Sequence, residues 1–372
     1  MSDTMRREIH SQPGLVAEIL PRLRQATTGL DVSADRIWAG GCGDGALAAG
    51  AASALLAETD AEYRPATAHE LAFHAPVRGG DLVVLASISG STRRTVQAAR
   101  KARSVGADTL ALTCNPDSML AAACKKTLVL PFQPLSRRTP HTADYLATLV
   151  ALAVLAEHLR RQRDEILDIL PVIIRDTLAN AEALAANLVR SFNPAGKLFV
   201  LGQGSNLYTA RYIAAKFHES GGLVALAAET EDFVHGVNFM AEREDLFCVI
   251  GGDGPGAFRA LELVPGLTRL CDRVVLVGNT PNTFAAVVQF EYPAVRPAMT
   301  VFPSAVAGQI LCLAVAEALG LAVEMPRAGR AAGALHAEVQ RGWMTGTSDT
   351  LTDTRDRGTA RSVSGGGKPS AE

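Results

Sequence analysis

Short apolar runs followed by polar turns and longer helical stretches recur along the chain. Leu82–Ala86 has the length and composition of a buried parallel strand, and residues 96–102 after it predict a helix. Residues 36–39, 108–115 and 126–130 predict further strands of the same kind, and 46–57 a small-residue helix. This alternation of strand and helix predicts a parallel sheet covered by helices on both faces.

The pattern starts again at Gly196, so the chain contains an internal duplication. Residues 197–205, 245–251, 273–278 and a region near Glu291 repeat the earlier strands, and 208–220 the first helix, at a period of roughly 160 residues. The predicted class is α/β: two similar, doubly wound, flavodoxin-like parallel-sheet domains in tandem, each of three layers.

Helical segments frame the two domains. A helix over residues 5–26, interrupted at Pro13 and Pro21, comes first; an apolar helix over 143–160 and a helical run over 160–188 lie between the repeats, and an apolar helix over 301–319 follows the second. Residues 67–73 fit a strand or the start of a helix. The expected boundaries are an N-terminal helical segment over 1–30, a first domain over 31–162, a helical bridge over 163–190, a second domain over 191–335 and a partly disordered tail over 336–372, since 343–372 is rich in Gly, Ser, Thr and charge.

Hydroxyl side chains crowd the turn that follows Leu82–Ala86. They are Ser87, Ser89, Ser91 and Thr92, with Gly90 among them and Thr95 a turn later. A helix N-terminus leaves backbone N–H groups unpaired and carries partial positive charge, so amides and hydroxyls here could converge on one phosphate. One Ser or Thr would be an ordinary helix cap, but this number favours an anion site. The glycine-rich turn at Gly43 and the turn at Asn115 end neighbouring strands, where such sheets bind ligands.

Composition narrows the functional classes. A net charge of −2 over 372 residues gives no general reason to expect nucleic-acid or membrane binding. The six cysteines form no C-x-x-C pair, and we expect neither disulfides nor a metal site. No apolar signal region opens the chain and no uninterrupted apolar run approaches about 18 residues, so the sequence favours a cytoplasmic protein without a cofactor.

The hydroxyl loop also carries a family resemblance. Ser87, Ser89, Gly90, Thr92 and Thr95 form a Ser-x-Ser-Gly-x-Thr-x-x-Thr pattern that resembles the sugar-phosphate loop of sugar isomerase (SIS) domains. Residues 8–13 resemble the Glu-Ile-x-x-Gln-Pro segment that precedes the isomerase part of glucosamine-6-phosphate synthases. The resemblance implies an anionic sugar substrate, a sugar 6-phosphate above all. It implies substrate contacts from Gly43, Ser87, Ser89, Gly90, Ser91, Thr92 and Thr142.

Two further motifs imply chemistry. Residues 216–219, Lys-Phe-His-Glu, resemble the family's Lys-Leu-Lys-Glu, whose Glu moves a proton between C1 and C2 of an open-chain sugar; Glu219 takes that place. Residues 231–236 resemble the family's Glu-x-x-His-Gly-Pro, whose His opens the sugar ring and is commonly lent by the neighbouring subunit. The resemblance therefore implies His235 as the ring-opening group and a homodimer that shares it. The turn at Cys42 and Asp44 would face the sugar.

Several positions depart from the family pattern. Ala331 stands where the family has a lysine that assists ring opening or forms an imine, and Val237 replaces the family's Pro. The second copy has Gly-Gly-Asp-Gly-Pro-Gly after its strand, with Asp253 and no hydroxyls, so we expect one sugar site per chain. Arg93 and Arg94 oppose the helix dipole; they either face solvent or meet a second anion.

These observations predict an enzyme. It would be a sugar-phosphate aldose–ketose or amino-sugar isomerase, or a fructosamine-phosphate deglycase. No glutaminase domain or N-terminal Cys nucleophile is visible, so we expect no dependence on glutamine. The alternative is a non-catalytic sugar-phosphate-binding regulator, which the replacement of the lysine by Ala331 favours.

Overall fold

A computed structural model describes residues 3–136, 140–190, 192–252, 254–279, 284, 287–325, 327 and 332–345. Its contacts divide the chain into two units, Met1–Ala328 and Gly329–Glu372. Both sheets lie in the first unit. Within the second unit, one helix is described, Gly333–Thr345.

The first sheet is parallel and has five strands. They are β1 (Arg36–Gly41), β2 (Glu62–Thr67), β3 (Leu82–Ala86), β4 (Asp108–Thr113) and β5 (Lys126–Val129). Their order is β2-β1-β3-β4-β5, so the chain reverses direction across the sheet between β1 and β3. A doubly wound sheet binds ligands at such a switch point, beyond the carboxyl ends of the strands.

The second sheet repeats this topology. Its strands are β6 (Leu198–Gly202), β7 (Ala225–Glu229), β8 (Leu246–Ile250), β9 (Arg273–Val277) and β10 (Val287–Phe290). The order β10-β9-β8-β6-β7 is the first order read from the other edge, and every pair is parallel. The predicted α/β class and the duplication are confirmed.

Helices cover both sheets. They are α1 (Asp3–Thr27), α2 (Asp44–Ala51), α3 (Ser53–Leu56), α4 (Ala68–Phe73), α5 (Arg93–Ser104), α6 (Met119–Ala123), α7 (Ala143–Arg160), α8 (Glu165–Val189), α9 (Ser205–Gly221), α10 (Thr230–Val234), α11 (Pro255–Leu270), α12 (Val301–Ala318) and α13 (Gly333–Thr345), with short 3₁₀ turns at Val237–Met240 and Pro297–Met299. One continuous apolar core contains residues of both sheets and of α1, α7, α8, α9 and α12. The two halves therefore pack as one body within Met1–Ala328.

Some predicted boundaries were wrong. α1 runs through Pro13 and Pro21 without a break, because its apolar side is fully buried and outweighs the two lost backbone hydrogen bonds. Residues 46–57 form two helices, α2 and α3, rather than one. Of the two alternatives for residues 67–73, the helix is found: α4 begins at Ala68 and is capped by Thr67, the last residue of the polar strand β2, which was not predicted. Trp343 lies in α13, so ordered helix enters the predicted tail; residues 346–372 lie outside the described part.

The apolar helix near the C-terminal end of the second sheet is a core element. Among the described residues, Pro297–Ala318 alone is long and apolar enough to cross a membrane, and 94% of that segment is buried inside the protein. It packs mainly against α8 and α9. Its apolar composition is explained by this packing.

Candidate functional site

The hydroxyl loop lies beyond the carboxyl end of β3, at the start of α5. Ser87 and Thr92 join their hydroxyls at 2.9 Å, and Ser89 and Ser91 join theirs at 2.8 Å. Ser89 and Ser91 are exposed, whereas Ser87 is 9% exposed. The loop therefore presents two exposed hydroxyls at a helix N-terminus, and the side chain of Thr92, the residue before the helix, accepts no capping hydrogen bond from the helix backbone.

Gly90 has to be glycine for two reasons. Its φ of +64° is a conformation that side chains disfavour, and a Cβ atom there would lie 2.1 Å from Ser118 Oγ and 2.9 Å from Thr113 Oγ1. Thr113 also donates its hydroxyl to the carbonyl of Ile88 at 3.1 Å. Strand β4 thus fixes the shape of the loop.

The glycine-rich turn after β1 lies beside this loop. Thr95 Oγ1 contacts Cys42 Sγ at 3.6 Å, and the turn packs so closely that a Cβ on Gly41 would lie 2.5 Å from the carbonyl oxygen of Ala86. Gly43, with φ of +53°, precedes α2 and is exposed. The structure therefore brings Gly43 and the hydroxyl loop together at the switch point of the first sheet.

Asp44 connects this turn with the second half of the molecule. Lys216, on α9, donates from Nζ to Asp44 Oδ2 at 2.8 Å and to Glu219 Oε2 at 2.6 Å. The same ammonium donates to the carbonyl oxygen of His141 at 3.1 Å. Lys216 is 1% exposed, while the Asp44 and Glu219 side chains are 22% and 30% exposed. A buried cation thus holds two partly accessible carboxylates.

Burial and charge tune these groups. Burial raises the pKa of the Glu219 carboxyl; Lys216 opposes that rise and Asp44 adds to it, with a net increase above the ordinary value. Burial disfavours the Lys216 ammonium, but Asp44 and Glu219 outweigh it and raise the pKa of Lys216. A carboxylate with a raised pKa beside a fixed cation is suited to take up and return a proton.

A second polar group adjoins this one at the start of α7. Glu8 on α1 accepts hydrogen bonds at Oε2 from the Thr142 backbone N–H (3.1 Å) and hydroxyl (3.2 Å). His141 Nδ1 lies 3.2 Å from Asp144 Oδ2. Burial, with the negative charges of Glu8 and Asp44, raises the pKa of Asp144 to about 7, and burial lowers the pKa of His141.

Thr142 is completely buried, and its hydroxyl donates to Glu8 rather than standing at the surface of the loop. Its predicted contact with substrate stays a prediction that this arrangement does not favour. Gln12, four residues after Glu8, donates to Gln309 at 2.6 Å, and Gln309 donates to the Tyr212 hydroxyl at 2.9 Å. The Glu and Gln of the segment 8–13 thus tie α1 to both halves.

His235 is exposed and directly follows α10. Among the described residues, no hydrogen bond or ion pair joins its side chain to Lys216, Asp44 or Glu219. Its surroundings are apolar and exposed: Val234 is 36%, Phe239 89% and Met240 46% exposed. Glu231, in the same motif, pairs with Arg259 at 2.5 Å.

Arg93 and Arg94 begin α5 and differ in their contacts. Arg93 is exposed. The Arg94 guanidinium lies 5.2 Å from the ring centre of Phe73 and donates to Gln97. Arg94 therefore packs on α4, and only Arg93 of the pair has the exposure that the solvent-facing alternative implies.

The second copy of the switch point has a different composition. After β6, Gly204 repeats the conformation of Gly43, and Ser205 accepts a hydrogen bond at Oγ from the Ala54 N–H at 2.9 Å. Asn206 donates to Thr300 Oγ1 at 2.9 Å. The turn after β8 consists of glycines at 251 and 252 and carries no hydroxyl at those positions. Asp253 and Ala331, which entered the sequence predictions, lie outside the described residues.

Sequence reasoning did not assign roles to Lys216, His141, Asp144 or Glu8. Lys216 and Glu8 stood inside motifs that the sequence had singled out, and Asp44 in a glycine-rich turn was a weak signal. His141 and Asp144 are three residues apart at a helix start, which signals nothing until α9 and α1 are known to lie against it. Among the described residues no cluster of three or more His, Cys, Asp or Glu side chains could hold a metal ion.

A cleft of about 430 Å³ lies elsewhere, between α1 and α8. Arg24 and Arg163 both pair with Asp168 in its wall. Since its charged groups already have partners and it contains no part of the hydroxyl loop, we do not regard it as the functional site.

Comparison with known proteins identifies related sequences. A family model of the SIS domain matches residues 32–158 and 191–286, more than half of the chain. A glutamine–fructose-6-phosphate aminotransferase (isomerizing) of Streptococcus pyogenes serotype M3 is 24% identical over 261 residues, 64% of this chain and 43% of that protein. The chain thus spans less than half the length of the curated relatives it matches.

Solved structures share the fold. The C-terminal domain of glucosamine-fructose-6-phosphate aminotransferase from Francisella tularensis matches with a TM-score of 0.75 and 17% identity, over 86% of this chain and 98% of that one. Glucosamine-6-phosphate deaminase from Thermotoga maritima matches with 0.74 and 18%, over 87% and 97%. Tagatose-6-phosphate ketose/aldose isomerase from Escherichia coli matches with 0.73 and 20%, over 85% and 93%. At these identities the likeness shows the fold.

Proposed function

The chain belongs to the SIS domain family, and we propose that it is an enzyme that moves a proton between C1 and C2 of an open-chain sugar 6-phosphate. The reaction would be an aldose–ketose or amino-sugar isomerisation, or the deglycation of a fructosamine phosphate. Related proteins named as sugar-phosphate isomerases and deaminases support a substrate of this class.

The contact between Glu219 and Lys216 carries this proposal. A proton next to a carbonyl or imine must leave one carbon and return to its neighbour, and one carboxylate can perform both steps. Glu219 is partly accessible, its pKa is raised, and the buried ammonium of Lys216 holds it at 2.6 Å. That rigid placement is what a proton-transfer base requires.

The hydroxyl loop supports a phosphate at one end of the substrate. Ser89 and Ser91 are exposed and bonded to each other at the N-terminus of α5, a helix of 12 residues, and Ser87 and Thr92 form a second hydroxyl pair in the same loop. Cys42 connects the loop to the turn that carries Asp44, the partner of Lys216. In this proposal the loop and Gly43 hold the anion while Glu219 reaches the reacting carbons.

We assign ring opening to His235 from a second copy of the chain. Exposure of His235 beside Val234, Phe239 and Met240 supports this, since an exposed apolar patch around a polar group suits an interface. A homodimer would cover the patch and bring the imidazole of one copy to the loop of the other. A fully active monomer in sedimentation measurements would rule out the shared His235.

The test of the proton-transfer role is solvent deuterium uptake, followed by NMR in D₂O, into hexose, hexosamine and fructosamine 6-phosphates. We expect exchange at C1 or C2 of at least one sugar, and a rate about 10²- to 10⁴-fold lower in Glu219→Gln with sugar binding retained. Glu18→Gln, which changes an exposed carboxylate on α1, serves as the matched control and should exchange like the native protein.

Other outcomes have distinct meanings. Exchange that survives Glu219→Gln would contradict the role of Glu219 as the base. Loss of binding in this variant would assign the carboxylate to substrate recognition instead. Saturable binding of a sugar phosphate without exchange in the native protein would replace the enzyme by the sugar-phosphate-binding regulator.

A further inference from the structure

The proposed proton transfer does not involve a neighbouring cluster of buried side chains, Glu8, His141 and Asp144. Glu8 is 1% exposed and Asp144 5% exposed, and His141 adjoins them at the start of α7. Glu8 Oε1, Asp144 Oδ1 and His141 Nδ1 are all buried without a hydrogen-bond partner in the described structure. Buried polar atoms are nearly always paired, so three unpaired ones in a single cluster call for an explanation.

The backbone of His141 and the proposed base Glu219 share one hydrogen-bond donor. Lys216 Nζ donates both to Glu219 Oε2 (2.6 Å) and to the His141 carbonyl oxygen (3.1 Å). One ammonium therefore fixes the backbone of His141 beside the carboxylate of Glu219. The His141 side chain is 23% exposed, so it is not sealed into the core.

Asp144 determines which nitrogen of the His141 imidazole can act on a substrate. Its Oδ2 lies 3.2 Å from His141 Nδ1, within ion-pair distance but without the alignment of a hydrogen bond. Catalytic hydrogen bonds are often loose in a free enzyme and tighten when substrate binds. Since its pKa is raised to about 7, the Asp144 carboxyl can hold a proton and donate it to Nδ1; this selects the tautomer with the ring proton on Nε2, which becomes the working atom.

An isomerisation moves two protons. The C2–H bond breaks and a C1–H bond forms, which is the transfer given to Glu219. In the same conversion of an aldose to a ketose, the O1 carbonyl gains a proton and the O2 hydroxyl loses one, so that a C1=O double bond becomes C2=O through an enediol. Glu219 is occupied with the carbon-bound proton while the oxygens exchange theirs, so a second group must serve them.

We propose that His141, positioned by Asp144, is this second group. Its Nε2–H gives a proton to O1 while Nδ1 takes one from the Asp144 carboxyl; Nε2 then takes the O2 proton while Nδ1 returns one to Asp144, so both groups end in their starting state. The inference rests on the proposed function, because it needs the enediol that Glu219 would generate. His141 is then a catalytic residue and Asp144 a positioning residue.

The charges around the ring favour this role. Burial lowers the pKa of His141 and so favours the neutral imidazole, in which one ring nitrogen donates a proton and the other accepts one. The charged groups that face it are Glu8 on α1, Asp44 at the start of α2, Asp144 on α7 and Lys216 on α9. Lys216 further opposes an imidazolium, whereas Glu8 and Asp44 favour it.

The experiment compares two rates in D₂O: deuterium exchange into the starting sugar phosphate, and its conversion to product. His141→Gln retains a hydrogen-bond donor but cannot pass a proton on. We expect its conversion to fall about 10²-fold or more relative to exchange, because the enediol forms, exchanges with solvent and returns to the starting sugar. His158→Gln, at the other end of α7, is the matched control, and its ratio should equal that of the native protein.

Each result decides the proposal. An unchanged ratio of exchange to conversion in His141→Gln, with sugar-phosphate binding intact, overturns it, whether both rates stay high or fall together. If His141→Gln loses its cooperative melting transition, Asp144→Asn takes its place, and the ratio must rise there too. If the native protein shows no exchange, the proposed function fails and this inference falls with it; if exchange depends on Glu219 but the ratio ignores His141, only this inference fails.

Discussion

The two halves of the molecule share one backbone topology, but the side chains around their switch points differ. Each sheet has the order 2-1-3-4-5, and in each the helix after the first strand is preceded by a glycine of nearly equal conformation: Gly43 at φ 53°, ψ −124° and Gly204 at φ 53°, ψ −129°. The residue after each glycine reaches into the other half. Asp44 accepts from the buried ammonium of Lys216, whereas Ser205 accepts from a backbone N–H at Ala54.

The long helices beside the sheets differ in the same sense. α7 and α12 are both 18 residues long and both follow a buried Thr. Before and after Thr142 stand His141 and Asp144, while the matching positions around Thr300 are Met299 and Phe302. Polar groups thus concentrate at the start of α7, and apolar groups at the start of α12. The duplication thus preserved the frame, and in our proposal the phosphate binds at the first switch point while α9 of the second half supplies Glu219.

The largest contrast in stability should come from the two contacts between the halves, Lys216 with Asp44 and Ala54 with Ser205. Lys216→Met leaves Asp44 and Glu219 without their shared cation, and removing one partner of a buried ion pair should lower the free energy of unfolding by about 3 kcal/mol or more. Ser205→Ala removes one neutral acceptor and should cost about 1 kcal/mol. Urea denaturation at pH 7 measures both. Equal losses in the two variants would mean that the two contacts contribute equally to the free energy of unfolding.

The pH dependence of stability should distinguish the two helix starts. The pKa of Asp144 is about 7 in the folded protein and near 3.8 in an ordinary carboxyl, so the folded state holds a proton that the unfolded state releases. The stabilisation by this proton is complete below about pH 4 and is lost as the pH rises through 7.

Asp144→Asn removes that dependence. The free energy of unfolding of the native protein minus that of Asp144→Asn should therefore fall by about 2 kcal/mol between pH 5 and pH 7. Denaturant titrations at the two pH values give the difference. Asp117→Asn alters an exposed carboxyl of the same half and serves as the control. A difference that stays constant for Asp144→Asn would show that this carboxyl is ionised throughout.

The smallest expected effects come from alanine substitution of Gly43 and Gly204. A Cβ on Gly43 or Gly204 would meet nothing within 4 Å, so only the positive φ opposes a side chain. Gly43→Ala and Gly204→Ala should each lower the free energy of unfolding by about 1 to 2 kcal/mol, to the same extent. Gly43→Ala alone should weaken the binding of a sugar phosphate. Equal effects on binding would place ligand contacts in both turns.

The sequence predicted the repeated frame because buried parallel strands are apolar runs that stand out from their surroundings. It missed β2, which is an edge strand with a polar sequence and a proline, Pro65, and pairs only with β1. It also broke α1 at its prolines, since tertiary burial of Ile9, Val16 and Leu23 is invisible in the local pattern.

The candidate site was predictable only in its local parts. The hydroxyl loop is contiguous in sequence, so its chemistry is apparent from residues 87–95. The contacts of Lys216 with Asp44, and of Glu8 with Thr142, join residues 172 and 134 positions apart. Such pairs form only after both halves and α1 have packed together, and no local rule specifies them.

The most direct test of the claim that one switch point binds the sugar is the stoichiometry of binding. Isothermal titration with fructose 6-phosphate and glucosamine 6-phosphate should give one site per chain. Ser89→Ala combined with Thr92→Val should weaken that binding at least about tenfold, since hydrogen bonds to a charged group are worth about 1.5 to 3 kcal/mol each. Ser104→Ala, at the opposite end of α5, should bind like the native protein. Two sites per chain, or unchanged affinity in the loop variant, would contradict the account.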